Sequence, residues 1–375
     1  MKFRARYNLF RQFNNLLLIT LIGFTFVLLI KYNNYSINKK HEELAKIINN
    51  TYLTKTTDLI ISKIKSNYIN VSHKVSSGEK LNEILKKYNI HTKIFVADFN
   101  KHVSTKYFGD YFWQMPKIIN TNKRKILNYC RKKKINVIIP TSDLELAFWA
   151  KYKKKFNKYK IFPMISDYET VSLCQDKWKF FNFLKKNNIK TPETFLSIKS
   201  INKKIKIFII KERKVTNSRK IYPNLRLSDL QYKIKFFKNP IIQEFITGEE
   251  ISIDCSIAKN YLPKKIILRR RDKIFMGESE QTTFFRNNRF ISEMKKICKL
   301  FKFSGHIMFQ AIVRNKKISI LECNPRIGGA SVASIYKGLN SLENFIDSNF
   351  KLKKKKYYTN KNFKKLIIYK NVKFI

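Results

Sequence analysis

The stretch Ile318-Ser-Ile-Leu-Glu322-Cys-Asn324-Pro-Arg326-Ile-Gly328-Gly329-Ala-Ser331 is an apolar, strand-like run that ends abruptly in a carboxylate, an amide, a guanidinium and two adjacent glycines. The chain has only nine glycines in 375 residues, so a Gly-Gly pair implies a backbone that turns through unusual dihedrals or approaches something closely. Glu322 and Asn324 alternate in the strand period and leave one face together. A carboxylate and an amide oxygen on one face at a strand end make a hard-oxygen site suited to Mg2+. Arg326 adds a planar donor fork for phosphate or carboxylate. A surface strand end followed by an ordinary turn is the competing reading of the same residues.

A chain of this length holds two or three domains, and a hydrophobic fraction of 44% with 14% aromatic residues argues for a folded protein. Lys and Arg number 78 against 26 Asp and Glu, a formal charge of +52. Such an excess ordinarily points to nucleic acid or an anionic membrane. Here the basic residues are spread along the whole chain and accompany abundant Asn, Ile, Phe and Tyr with few Gly and Pro, the signature of A/T-rich codons. No zinc-finger spacing or RNA-binding aromatic motif accompanies them, so no specific nucleic-acid partner is expected. The five cysteines are widely separated and form no CxxC pair, which fits a reducing compartment and a cytoplasmic location. Cys323, between the two candidate ligands, is expected to point into a packed core.

Near the N-terminus, residues 16–30 read LLLITLIGFTFVLLI. The run falls short of the roughly twenty apolar residues of a span and is interrupted by Thr20, Gly23 and Thr25. A buried strand, a turn at Gly23 and an apolar helix accord with the βα units that follow; a membrane anchor is the alternative. After a polar, helix-rich stretch, Lys93-Ile-Phe-Val-Ala-Asp98 and Asn136-Val-Ile-Ile-Pro140 read as buried strands of a parallel sheet. Asp143 and Glu145 follow the second, as ligand contacts or as helix N-caps. A helix is expected over 175–188, then strands at 205–211, 240–244, 251–257, 264–270, 306–313 and 365–369.

Polar groups recur at the ends of these elements: Asp176-Lys177, Lys211, Gln243-Glu244-Phe-Ile-Thr-Gly248-Glu-Glu250, and Gln310 with Glu322-x-Asn324-Pro-Arg326. In order and approximate spacing, together with Asp143-Leu-Glu145-Leu, they resemble the ATP-grasp superfamily, in the branch similar to the large subunit of carbamoyl phosphate synthase. The resemblance runs roughly from Leu16 to the C-terminus and is most specific from Asp176 to Asn340. It implies a mixed α/β and α+β fold. A Rossmann-like parallel sheet would occupy 1–166, with a helical insertion around 38–90. A small lid lobe at 167–242 and a large lobe with the metal site at 243–375 would form a two-lobed ATP-grasp module.

The resemblance also implies the chemistry. Lys177 and Lys211 would hold the phosphates of ATP, with Lys211 and Arg326 stabilising charge on the transferring phosphoryl group or an acyl phosphate. Gln243, Glu244, Phe245 and Ile246 would form the link that reads the adenine edge, Glu250 would take the ribose, and Ser218 and Arg219 would belong to the phosphate-covering loop. Gln310, Glu322 and Asn324 would ligate Mg2+ or Mn2+. The substrates would be a small carboxylate and an amine, and a homodimer is compatible with the family. Arg269, Arg270 and Arg271 are read either as groups directed at an acidic substrate or as a basic strand. One departure stands out: the loop 212–220 contains no glycine, where backbone amides normally fold over phosphates. It favours the rival reading, a nucleotide-binding protein with weak or no catalysis.

Overall fold

The near-continuous apolar runs around Ile94 and Val137 form the centre of a sheet buried on both faces, as parallel strands are. The computed structural model describes residues 61–62, 68–72, 93–103, 106, 109–214, 221–275, 277–350 and 364–367. All of them belong to the unit Leu53–Ile375. The segment 16–30 and most of the stretch read as a helical insertion lie outside the described residues.

The first sheet contains β1 (Ile61–Ser62), β2 (Tyr68–Ser72), β3 (Lys93–Asp98), β4 (Tyr111–Gln114), β5 (Ile135–Pro140) and β6 (Phe162–Pro163), in the order β4-β3-β1-β2-β5-β6. β2 pairs in parallel with both β3 and β5, and β4 and β6 extend the sheet in the same sense. Residues 68–72 had been read within a helix-rich stretch; they are instead a strand between two buried parallel neighbours. Their short Tyr-Ile-Asn-Val run carries little periodicity of its own, and its partners decide the matter. α1 (Lys123–Lys132) and α2 (Asp143–Asn157) cover one face through Ile126, Leu127, Leu146 and Trp149. Ser142 and Glu145 form a capping box at the start of α2.

Next come α3 (Tyr168–Gln175) and α4 (Lys177–Lys186), and then a small antiparallel sheet in the order β7-β10-β8-β9. Its strands are β7 (Thr194–Phe195), β8 (Phe208–Glu212), β9 (Ile221–Leu225) and β10 (Pro240–Glu244). α5 (Leu227–Lys233) closes its core, in which Leu230 meets Phe208, Ile210 and Ile242.

The third sheet is larger and antiparallel, in the order β15-β14-β11-β12-β13-β16. It contains β11 (Glu249–Ile257), β12 (Pro263–Phe275), β13 (Glu278–Phe285), β14 (Gly305–Arg314), β15 (Lys317–Asn324) and β16 (Lys365–Ile367). Strand alternation gives β11 two characters. Ile251, Ile253 and Cys255 join the main core beneath α4 and α6 (Asn288–Lys299), where Phe180, Leu184, Phe290 and Met294 pack. Each such side chain contributes roughly 2 kcal/mol by leaving water. Glu250, Ser252, Asp254 and Ser256 point the other way.

That polar face is covered by α7 (Ser331–Tyr336) and α8 (Ser341–Phe350), which lie between the two large sheets. Their apolar residues Ile335, Leu342, Phe345 and Ile346 pack on Ile94, Val96, Val137 and Ile139 of the first sheet. Their serines face the third. Ser331 and Ser334 donate to Asp254 at 2.5 and 2.6 Å, Arg269 donates to it at 2.6 Å, and His306 spans Asp254 and Ser341. Burial works against the Asp254 charge, but Arg269 and His306 outweigh it and hold the carboxyl far below its usual range.

Among the described residues, eight non-glycine residues take positive φ, including Lys134 and Asn188 just beyond the ends of α1 and α4, and Lys160 beyond α2.

Candidate active site

The N-terminus of α4 meets the end of β8. Asp176 caps the helix by accepting from the amides of Trp178 and Lys179 at 3.1 Å each, and takes a bond from Arg213 Nε at 2.9 Å. Burial disfavours its charge, but the bonds from Arg213 and Lys179 prevail and hold its carboxyl below the ordinary value. The Lys177 amide donates to the Arg213 carbonyl at 2.9 Å, and Asp176 bridges to Lys214. These ties bring Lys177 beside Lys211. Residues 215–220, with Ser218 and Arg219, lie outside the described residues.

Lys211 donates to Gln243 Oε1 at 2.9 Å, and Gln243 Nε2 donates in turn to Thr194 at 3.0 Å. Burial pushes the Lys211 ammonium below its ordinary value; Glu322 holds it up, Lys177 pushes it down further, and Glu250 supports it. Lys177, Glu250 and Glu322, from distant parts of the sequence, therefore all act on the charge of Lys211. Gln243 is 4% exposed and serves as the acceptor that aims Lys211. The amides of Glu244 and Phe245 donate to the carbonyls of Glu193 and Ile207 at 2.8 and 3.0 Å. Glu244 and Ile246 line a cavity of about 660 Å3 with Lys190, Thr191 and Lys317, and none of the charged cluster lines it.

The placement of Glu322 depends on a bulge. Gln310 pairs with Glu322 and Ala311 with Ile320, so Leu321 is an extra residue in β15. Without it, Glu322 would share the core face of Ile318 and Ile320. With it, Cys323 enters the core at 3% exposure, and Glu322 and Asn324 leave together on the opposite face beside Gln310. Asn324 Nδ2 donates to Glu322 Oε1 at 3.2 Å. Burial and the neighbouring Cys174 raise the Cys323 thiol well above its ordinary value, which suits a packing role. A carboxylate beside the amide oxygen of Asn324 is a donor set that suits Mg2+ brought in with a nucleotide. Among the described residues, no group of three or more His, Cys, Asp or Glu could hold a metal alone.

Arg271 enters the same cleft from β12, donating to Glu250, to Gln310 Oε1 at 3.0 Å, to Ser279 at 2.9 Å and to the Gly277 carbonyl at 2.6 Å. Its two neighbours diverge: Arg269 is fully buried on Asp254, and Arg270 is exposed with Asp272 and Glu249. Arg326 turns toward the first sheet, where its fork closes on Asp143 at the start of α2. Gly328 follows; a Cβ there would lie 2.9 Å from the Met308 sulfur, so close approach explains this glycine. The sequence does not single out Asp254 or the role of Arg271, and His306, read from it as a core or strand-edge residue, is buried in β14. The signal for Asp254 and Arg271 was the alternation Glu250-x-Ser-x-Asp254-x-Ser and Arg269-x-Arg271 on adjacent strands.

Known proteins share this fold. Residues 174–330 match the model of the ATP-grasp domain, and residues 72–165 match that of the PylC-like N-terminal domain. Residues 174–330 thus carry an ATP-grasp domain, preceded by a PylC-like N-terminal domain. No curated protein sequence matches it. Among solved structures it is similar to N5-carboxyaminoimidazole synthetase from Staphylococcus aureus, at 18% identity over 70% of this chain and 71% of that one, with a TM-score of 0.54. Biotin carboxylase from Campylobacter jejuni shares 13% identity over 73% and 68% of the two chains, TM-score 0.58. L-amino acid ligase from Bacillus licheniformis shares 16% over 69% and 70%, TM-score 0.52. Likeness at these identities establishes a common fold. No helix among the described residues is long and apolar enough to cross a membrane.

Proposed function

We propose that this protein is an ATP- and Mg2+-dependent ligase that activates a small carboxylate as an acyl phosphate for attack by an amine. The observation that carries the reading is that Lys177, Glu250 and Glu322 all act on the charge of Lys211, at the end of a small-sheet strand near the polar residues of the large sheet. Two ammonium groups there suit the phosphates, Glu250 suits the ribose hydroxyls, and the link 243–246 borders the adenine end. Glu322 and Asn324, with Gln310 beside them, would hold Mg2+, which supplies charge neutralisation at the phosphates when bound.

The residues bind and orient more than they transfer protons. A substrate carboxylate oxygen attacks the γ-phosphorus and ADP leaves; the amine then adds to the acyl carbon, phosphate departs, and the nitrogen loses a proton. Lys211 neutralises charge on the phosphoryl group during the first step. Arg326, whose fork already grips a carboxylate, marks where the first sheet meets the cleft, and the acid substrate is placed there. Arg326 is read as neutralising the acyl phosphate by exchanging that partner. Five unpaired, buried cysteines support a reducing compartment and so a cytoplasmic enzyme.

The glycine-free loop 212–220 favours a second reading, a nucleotide binder with weak catalysis. Calorimetry with ATP, with and without Mg2+, tests the first half of the proposal: binding that requires Mg2+ and is lost in Glu322→Ala is expected. A screen of carboxylate and amine pairs for ADP release tests the second. Failure of wild type to bind ATP, or a Glu322→Ala variant indistinguishable from it, would overturn the ligase reading.

A further inference from the structure

We infer that Arg271 is a built-in cation of the nucleotide cleft, which keeps Gln310 out of metal coordination and leaves one divalent cation to Glu322 and Asn324. The inference rests on the nucleotide reading above and sharpens its metal site.

Arg271 is not a surface arginine that happens to point inward. Its side chain is 4% exposed, and every nitrogen is engaged: Nε with Ser279, Nη1 with both Glu250 and Gln310, and Nη2 with the Gly277 carbonyl. These partners come from β11, β13, β14 and the turn between β12 and β13. A guanidinium that is itself buried and fixed by four acceptors from separate elements does not move away at small cost, because four bonds break together and buried Ser279 is left without its donor.

The consequence falls on Gln310. A glutamine has one atom able to ligate a hard cation, its side-chain oxygen, and here that oxygen accepts from Arg271 at 3.0 Å. A divalent ion bound to the same oxygen would face a positive charge already held at hydrogen-bond distance from it. A neutral amide fits the position because Glu250 already offsets the guanidinium. Glu322, in contrast, accepts from Asn324 at 3.2 Å and pairs with no arginine or lysine of the described residues within salt-bridge distance. Among the described residues, the cleft thus carries the cations Lys177, Lys211 and Arg271 against the carboxylates of Glu250 and Glu322. That balance suits a polyphosphate bearing one metal ion.

The test uses full-length protein, a non-hydrolysable ATP analogue and Mn2+, with bound ions counted by electron paramagnetic resonance. Wild type is expected to bind a single Mn2+ per bound nucleotide, with no spectrum of two coupled ions. Gln310→Glu is expected to add a second carboxylate to Arg271 and leave Mn2+ affinity within about twofold, because the position faces the guanidinium. Two coupled ions in wild type, or Mn2+ binding tightened about tenfold or more by Gln310→Glu, would overturn the inference while leaving the nucleotide reading standing. Absence of analogue binding at any Mn2+ concentration would overturn the nucleotide reading, and this inference with it. The wild-type count needs no variant to fold.

Discussion

The guanidinium of Arg326 closes on the Asp143 carboxylate as a fork, Nε to Oδ1 at 2.7 Å and Nη2 to Oδ2, joining residues 183 positions apart. The pair links the helix that follows β5 to the turn that follows β15, and so fastens the C-terminal edge of the parallel sheet to β15. Both side chains are largely buried, at 12% and 21% exposure. A double-mutant cycle of Asp143→Ala and Arg326→Ala in urea should give a coupling of about 1–3 kcal/mol. Additive single losses would show that the pair contributes nothing.

Lys211 makes nucleotide binding dependent on pH. Burial holds the ammonium below its ordinary value in the empty cleft. Arriving phosphates favour the charged form and raise it, so binding takes up a proton between the two values. Affinity is therefore expected to fall as pH rises through the depressed value, by up to about tenfold per unit. Calorimetry in buffers of different ionisation enthalpy reads the proton uptake directly. Lys211→Met should abolish it; an unchanged proton count in that variant would assign the effect elsewhere.

Gln243 aims Lys211 from a buried position, so Gln243→Leu should leave the ammonium without its acceptor at 2.9 Å. A hydrogen bond to a charged group is worth about 1.5–3 kcal/mol, which predicts nucleotide affinity weaker by roughly tenfold or more. Circular dichroism should remain that of wild type. Unaltered affinity would mean that Lys211 reaches the phosphates unaided.

Removing the Asp254 carboxylate leaves Arg269, wholly buried, without its partner at 2.6 Å. Asp254→Ala is expected to cost about 3–5 kcal/mol in urea unfolding. The sign of the pH effect follows from the lowered folded value: the contribution is present above the unfolded carboxyl range, near about pH 4, and is lost progressively as pH falls below it. Wild type should thus lose thermal stability between about pH 4 and pH 2 with a steeper slope than Asp254→Asn. Parallel slopes would count against the assignment.

Much of the site could be read from residue types because it lies at strand ends. Lys211 ends an apolar run, Glu322 and Asn324 end another, and each polar group there is conspicuous against its neighbours. What could not be read depends on register. The extra residue at Leu321, which turns Glu322 off the core face, leaves no mark in a run of Ile, Ser, Ile and Leu. Whether Arg271 or Arg270 reaches the cleft is decided by which face β12 presents to β11, a matter of pairing and not of composition. Strand β2 was missed for the same reason: Tyr68–Ser72 takes its identity from β3 and β5, and alone it resembles its polar surroundings. The helical connections fared unevenly. The amphipathic stretch around Phe180 was plain, whereas α7 and α8 have serines where one polar sheet meets them and aliphatics where another does, so neither face looks exposed.

The left-handed residues at helix ends carry a consequence for the molecule's thermal margin. Lys134 and Lys160 sit at φ 53° and 57°, positions where a glycine would avoid the Cβ strain that a lysine incurs. Glycine at either one should raise stability by about 1 kcal/mol, offset in part by a looser unfolded chain. The composition that gives the protein its extreme charge has thus also left it with unused stability, recoverable at sites far from the cleft.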